Sequence, residues 1–153
     1  MRTYLNDNWQ FFKQFSCDIF GESRGEPVRI PHSHAITPFN CFDESIYQFV
    51  SGYARNLQLE DIRGKTYLLT FEGAAHRAEV YLNGKLALTH ECGYTAFTVD
   101  ITRYVHEGSN RLVVKLDSRS TLNQPPFGFL IDYMTYGGIY RDVYLDVKNG
   151  VYV

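Results

Sequence analysis

The stretch HRAEVYLNGKLALTHE, residues 76–91, constrains the fold of this chain more than any other. It places Asn83-Gly84 between two runs of alternating apolar and polar residues. Asn-Gly supplies the two positive φ angles that a two-residue type I′ turn requires, so the stretch predicts a β-hairpin. Ala78, Val80 and Leu82 share one face before the turn, and Leu86 and Leu88 are expected to continue that face after it.

The same period of two recurs along the chain. KTYLLTF sets Tyr67, Leu69 and Phe71 on one face, and RLVVKL does the same with Leu112, Val114 and Leu116. YTAFTVD reads as a short strand, with Tyr94 and Phe97 expected in the core. NWQFFKQF reads as an edge strand, and IYQFVSGYARNLQLE as a long strand with a bulge at Gly52. DITRYVHEGSN predicts one helical turn capped by Asp100 or Thr102 and closed at Gly108. Evenly spaced strands with no long helical period mean an all-β sandwich, and its long crossing connections point to a jelly roll. At 153 residues the chain is one domain, residues 1–153.

Composition narrows the function classes. Net charge is −2 with no basic tract, which argues against a nucleic-acid partner. No apolar run reaches the roughly 18 residues of a membrane span, so no membrane partner is expected. Three cysteines, widely spaced and odd in number, fit a reduced, cytoplasmic setting better than a disulfide framework. No His/Cys spacing implies a metal, and no cofactor is expected. His32 and His34 could share a strand face as a metal pair, but after Pro31 they are better read as bonding backbone groups. His90 is expected to support the turn at Gly93.

Two stretches, GESRGEPVRIPHSHAITPFNCFDES and SRSTLNQPPFGFLIDYMTYGG, are long for a compact domain and rich in aromatic and hydrogen-bonding residues. Long connections of this kind usually carry function, at a rim rather than in the core. A search for two carboxyls about 5 Å apart, close enough to act together as nucleophile and acid/base, finds none. Asp142 and Asp146 are four residues apart on one strand face, about 13 Å. Glu72 and Glu79 read as solvated.

Several motifs taken in order resemble the N-terminal sugar-binding domain of the family 2 glycoside hydrolases, the β-galactosidase and β-glucuronidase group. They are RIPHSH at 29–34, SGYARNLQL at 51–59, the continuous FEGAAHRAEVYLNGKLALTHECGYTAFTVDITRYVHEGSNRLVVKLDSR, and the closing GGIYRDVYL. The resemblance runs from about Trp9 to the C-terminus. It implies a jelly-roll, galactose-binding-domain-like sandwich that forms the N-terminal part of a larger, multidomain glycosidase. The catalytic residues would then lie on a barrel outside this sequence, none of them in this fragment, which alone would be inactive. Partners implied are a β-glycoside and the barrel of the same polypeptide; self-association is open. By the spacing of FLIDYMTYGGIYRDV, Asp132 matches a family aspartate that reaches into the sugar site, where a carboxylate can accept two hydroxyl hydrogen bonds. Asn123 and Gln124 are candidates for the same rim. A free-standing carbohydrate-binding module and a purely structural domain are the alternatives.

One arginine poses a problem. In GGIYRDVYLDV, Arg141 shares parity with Ile139, Val143 and Leu145. If that parity holds, the guanidinium lies between sheets and must meet a carboxylate, Glu72 first and Asp100 second, or several carbonyls. Alternatively Gly137-Gly138 forms a bulge that leaves Arg141 exposed.

Overall fold

Asn83 and Gly84 both take positive φ, 49° and 79°, and turn the chain between strands β6 (Arg77–Leu82) and β7 (Lys85–His90). This hairpin is part of a computed structural model that describes residues 1–34, 43–119 and 137–149. The other strands are β1 (Arg2–Tyr4), β2 (Trp9–Phe12), β3 (Glu26–Val28), β4 (Val50–Leu59), β5 (Lys65–Phe71), β8 (Phe97–Asp100), β9 (Gly108–Asp117) and β10 (Val143–Asn149). Helix among the described residues is limited to 3-10 turns at Cys17–Phe20, Glu44–Ile46 and Thr102–Tyr104.

Two antiparallel sheets result, a four-stranded one ordered β1-β10-β5-β8 and a six-stranded one ordered β3-β2-β4-β9-β6-β7. The chain is therefore the expected jelly-roll β-sandwich. The period-2 patterns supply the interior: Tyr67, Leu69 and Phe71 face Leu112, Val114 and Leu116, all buried. Each such side chain contributes roughly 1.5–3 kcal/mol by leaving water.

The six-stranded sheet is also covered over part of its outer face. The segment after β2, with its 3-10 turn, lays Ile19 against Ala54 and Val113, flanked by Phe12, Phe15, Phe20 and Tyr81. This explains Gly52, which makes no bulge: β4 pairs with β9 without interruption from Val50↔Asp117 to Leu59↔Gly108. A Cβ at Gly52 would sit 2.6 Å from Ile19 Cδ1, so glycine is there to admit the covering segment.

Other expectations change with tertiary context. β2 is interior, with β4 on one side and β3 on the other. The edge belongs to β3, whose Pro27 needs no ladder donor there. The hairpin carries an irregularity opposite Val80/Tyr81, so Val80 pairs with Leu88 but Tyr81 with Leu86. The extra residue, Ala87, reverses the facing, and Leu86 is 49% exposed rather than inward. The turn at Thr102–Tyr104 takes Asp100 Oδ1 as acceptor for the Thr102 N–H at 2.9 Å, while Gly108 opens β9 rather than closing the turn.

The arginine on the inner face is Arg55, between the buried Tyr53 and Leu57 of β4. Its Nη1 donates to the carbonyls of Leu5 (2.6 Å) and Asp7 (3.0 Å), and its guanidinium lies 5.7 Å from the Trp9 ring centroid. Burial lowers its pKa, and the charge of Asp7, the two carbonyl oxygens and the aromatic face act against that burial. Arg141 is exposed: the chain bends there, and β10 begins only at Val143. Among the described residues neither Glu72 nor Asp100 nor any other carboxylate forms an ion pair with it. The neighbouring Asp142 instead accepts from Asn6 Nδ2 at 3.0 Å, and Asn6 Oδ1 accepts the Val143 N–H at 3.1 Å. The bend thus replaces the bulge as the reason Arg141 escapes the core.

A buried amide ties the hairpin to β9. Asn110, fully buried, accepts from Asn83 Nδ2 and from the His106 N–H, both at 2.9 Å, and donates to the carbonyls of His106 (2.7 Å) and Gly108 (3.1 Å). Asn110→Ala leaves these partners unsatisfied and should cost about 2–3 kcal/mol in urea unfolding. A loss no larger than that of an exposed substitution would show that the amide cluster is not what holds the turn to the sheet.

Candidate functional site

Two described segments break off and resume at one end of the sandwich. The chain leaves the described region at His34 and at Arg119, and re-enters at Asp43 and Gly137. Asp132, Asn123 and Gln124, the sugar-binding candidates, lie in 120–136, outside the described residues, as does Cys41. What the structure shows is the platform on which those segments stand.

That platform is a lattice of backbone bonds. The His32 N–H donates to the Ile139 carbonyl (2.8 Å) and the His34 N–H to that of Gly137 (3.3 Å). Ala75 and Gly138 exchange N–H···O bonds at 3.0 and 3.3 Å. His76 N–H reaches the Asp117 carbonyl (3.1 Å), and Ser118 N–H that of Phe49 (3.1 Å). The two glycines of the closing motif are explained here. A Cβ on Gly137 would lie 2.0 Å from His34 Cε1, and one on Gly138, at φ 127°, 2.2 Å from the His32 carbonyl oxygen. No other residue lets 137–138 run this close to 32–34.

Three histidines are built into this rim. His32 Nδ1 meets the Tyr53 hydroxyl at 2.8 Å. His34 packs on Phe49, ring centroids 4.3 Å apart, and its Nε2 lies 3.2 Å from the Tyr47 carbonyl and 3.3 Å from Ser118 Oγ. The carbonyl can only accept, so Nε2 carries the proton, and Nδ1 is buried without a partner among the described residues. Burial lowers the pKa of all three. His34 is pushed down to about 4, chiefly by desolvation, with the charges of His32 and His76 acting the same way against the Tyr47 carbonyl. Near neutral pH the rim is held by uncharged imidazoles.

Of the expected roles, His34 does bond a backbone carbonyl, whereas His32 takes a tyrosine hydroxyl instead. His90 Nε2 lies 3.0 Å from Thr95 Oγ1, beside the Gly93 turn it was expected to support. Tyr94 is 51% exposed rather than core, because it stands on that turn with its ring 6.3 Å from His76; Phe97 is buried. Sequence reasoning missed His76 and Ser118, although both fall within the motif-bearing stretches FEGAAH and LDSR.

The carboxylates near the rim are engaged. Asp117 binds Arg119 (Oδ2 to Nη2, 2.6 Å), which with hydrogen bonding outweighs burial and keeps its pKa low. Glu79, expected to be solvated, is half-buried and accepts from Tyr81 Oη (2.6 Å) and Lys115 Nζ (3.2 Å). Among the described residues no group of three or more His, Cys, Asp or Glu is placed to hold a metal.

Comparison with known proteins follows the same outline. The family model for the sugar-binding domain of glycosyl hydrolases family 2 matches residues 21–149. The chain is 39% identical to a β-galactosidase of Thermoanaerobacter pseudethanolicus over 97% of its own length and 20% of the relative's. It is 32% identical to a β-glucuronidase of Bacteroides fragilis over 95% of its length and 20% of that protein's. Among solved structures, Bacteroides uniformis β-glucuronidase superposes with a TM-score of 0.83 at 27% identity, over 96% of this chain and 18% of that one. The chain thus spans about a fifth of the length of the relatives it matches.

Two outcomes are expected at the rim. Gly138→Ala should destabilise the chain by about 2–4 kcal/mol in chemical unfolding, through strain at positive φ and the clash with the His32 carbonyl. Stability should also rise with pH between about 4 and 6.5. In that window unfolded His34 binds a proton that the folded site refuses, a difference approaching about 3 kcal/mol. Denaturation curves of His34→Gln against the parent should diverge through this window. Parallel profiles would exclude a neutral, buried His34.

Proposed function

Because this chain belongs to the family 2 glycosyl hydrolases as their sugar-binding domain, we propose that it is the N-terminal domain of a β-galactosidase-like enzyme. In this reading the whole protein hydrolyses O-glycosyl bonds of a β-glycoside, and the cleaving carboxylates lie in the rest of the polypeptide. The chain by itself is inactive. It packs on the catalytic barrel and presents Asp132 to the sugar, with Asn123 and Gln124 beside it. The partners are the glycoside and the remainder of the same polypeptide. The free thiols Cys17 and Cys92 fit a reducing, cytoplasmic setting.

The observation that supports this most is the anchoring at the rim. On either side of 120–136, which contains Asp132, the described residues are tied down: Ser118 is bonded to Phe49, and Gly137–Gly138 lie against His32, His34 and Ala75. A carboxylate can contribute to sugar recognition only if the chain that carries it starts from fixed points, since a shift of about 1 Å at a recognition group weakens turnover severely. Both feet of this segment are fixed by backbone bonds.

The test is made in the full-length enzyme. Asp132→Ala should lower kcat/KM by about 10- to 100-fold, the value of a charge-assisted hydrogen bond to a hydroxyl. Asn123→Ala and Gln124→Ala should cost less, about 2- to 10-fold, as neutral hydrogen bonds do. An unchanged kcat/KM in Asp132→Ala would remove the recognition role and reduce the domain to a support for the barrel.

A further inference from the structure

Arg141 escapes the core, yet its position is fixed from both sides. The Ile139 carbonyl accepts the His32 N–H at 2.8 Å, the Asp142 carbonyl accepts the Glu72 N–H at 3.0 Å, and Asn6 bonds both Asp142 Oδ1 and the Val143 N–H. Gly73 belongs to the same arrangement. A Cβ there would stand 2.8 Å from Tyr140 Cζ and 3.2 Å from Arg141 Cδ, so the bare backbone lets both side chains lie across it. Tyr140 Oη donates to the Gly93 carbonyl. The Arg141 guanidinium lies 5.7 Å from the centre of the Tyr140 ring, within the range of a cation–π contact. The turn at Gly93 also carries the exposed Tyr94. Bend and turn both stand at the rim end of the sandwich, where Phe71 pairs with Val143 on one side and with Phe97 on the other.

The result is an exposed guanidinium with a supported stem and no acidic partner. Arg2, Arg29, Arg77 and Arg119 each meet a carboxylate, but among the described residues Arg141 meets none. An arginine beside tyrosines is the composition of an interface centre, because these side chains bury much area and pair with polar groups at the same time. The planar fork of a guanidinium matches a carboxylate. A stem already laid against Gly73 and Tyr140 also loses little freedom when it binds. The chain as a whole carries a net charge of −2, so a carboxylate-bearing partner is attracted at Arg141 and not by the surface at large.

Chain length identifies the partner. This chain spans 20% of each of the two relatives described above, so about four-fifths of such a protein lies outside it. The rim end is also the end from which residues 120–136, with Asp132, depart. We propose that Arg141, flanked by Tyr140 and Tyr94, docks this domain onto the rest of its own polypeptide by binding a carboxylate there. This contact presupposes that the chain is the N-terminal domain of a longer enzyme, as proposed above, and gives that domain a named point of attachment.

Two measurements on the full-length enzyme test it. In labelling with phenylglyoxal, Arg141 should react at least about tenfold more slowly than Arg24 and Arg63, which are equally exposed in the isolated fold, because it is released only when the interface opens. In Arg141→Lys, a water-soluble carbodiimide should join residue 141 through an amide to an Asp or Glu beyond residue 153, read by mass spectrometry of the digest. Labelling of Arg141 as fast as Arg24 and Arg63 would overturn the assignment. So would a link to a carboxylate within residues 1–153, such as Glu72 or Asp132, or a link between two copies of the protein. Protection with no link at all would show that something other than a carboxylate covers the arginine, and would overturn it as well. Neither measurement depends on activity: an unchanged kcat/KM in Asp132→Ala leaves this docking contact standing, and free labelling of Arg141 leaves the role of Asp132 standing.

Discussion

The pairing of β4 with β9 carries the rest of the molecule. It is ten residues long, from Val50↔Asp117 to Leu59↔Gly108, and central in the larger sheet. Its inner face is buried, and its outer face is covered in the middle of the ladder. Inside, Tyr53, Leu57, Leu112, Val114 and Leu116 pack against the smaller sheet; outside, Ala54 and Val113 lie under Ile19. A ladder covered on both sides cannot slip by one residue without exposing one apolar set and burying a charged one. Its two ends are therefore fixed points. At one, Asp117 and Ser118 take part in the rim; toward the other, Arg111 bonds Asn56 and the Ile19 carbonyl.

The rim is joined by backbone hydrogen bonds between distant parts of the chain. Glycines allow the backbones of 32–34 and 137–138 to touch, and uncharged histidines fill the space that remains. Because those imidazoles are desolvated, the arrangement is strongest where they need not be protonated. This couples the geometry of the site to pH through groups that need not contact a sugar at all.

Much of the architecture was legible locally. Alternation at Tyr67/Leu69/Phe71 and Leu112/Val114/Leu116 placed the core faces correctly, since side-chain direction in a strand depends only on position along the chain. Asn83-Gly84 placed its hairpin for the same reason. Leu86 was misread because the extra residue, Ala87, enters in the pairing of β7 with β6, which the alternation within either strand does not show. β1, three exposed residues, shows no alternation; its pairing with β10 through Arg2 and Asp146 joins residues 144 apart. Arg141 was read in register with the core and Arg55 passed over because parity cannot reveal a bend: Arg141 precedes its strand, whereas Arg55 lies within one and reaches carbonyls nearly 50 residues earlier.

What the sequence alone determined was strand identity, facing, the Asn-Gly turn and the ordered motifs of the family, all of which rest on neighbouring residues or on residue type. Only the tertiary structure decided which glycines are required by close approach, which arginine is drawn toward the interior and which histidines are neutral. Each of those depends on groups brought together from distant parts of the chain, and the free energy of a buried charge or an added Cβ is set by what it touches, which no local pattern encodes.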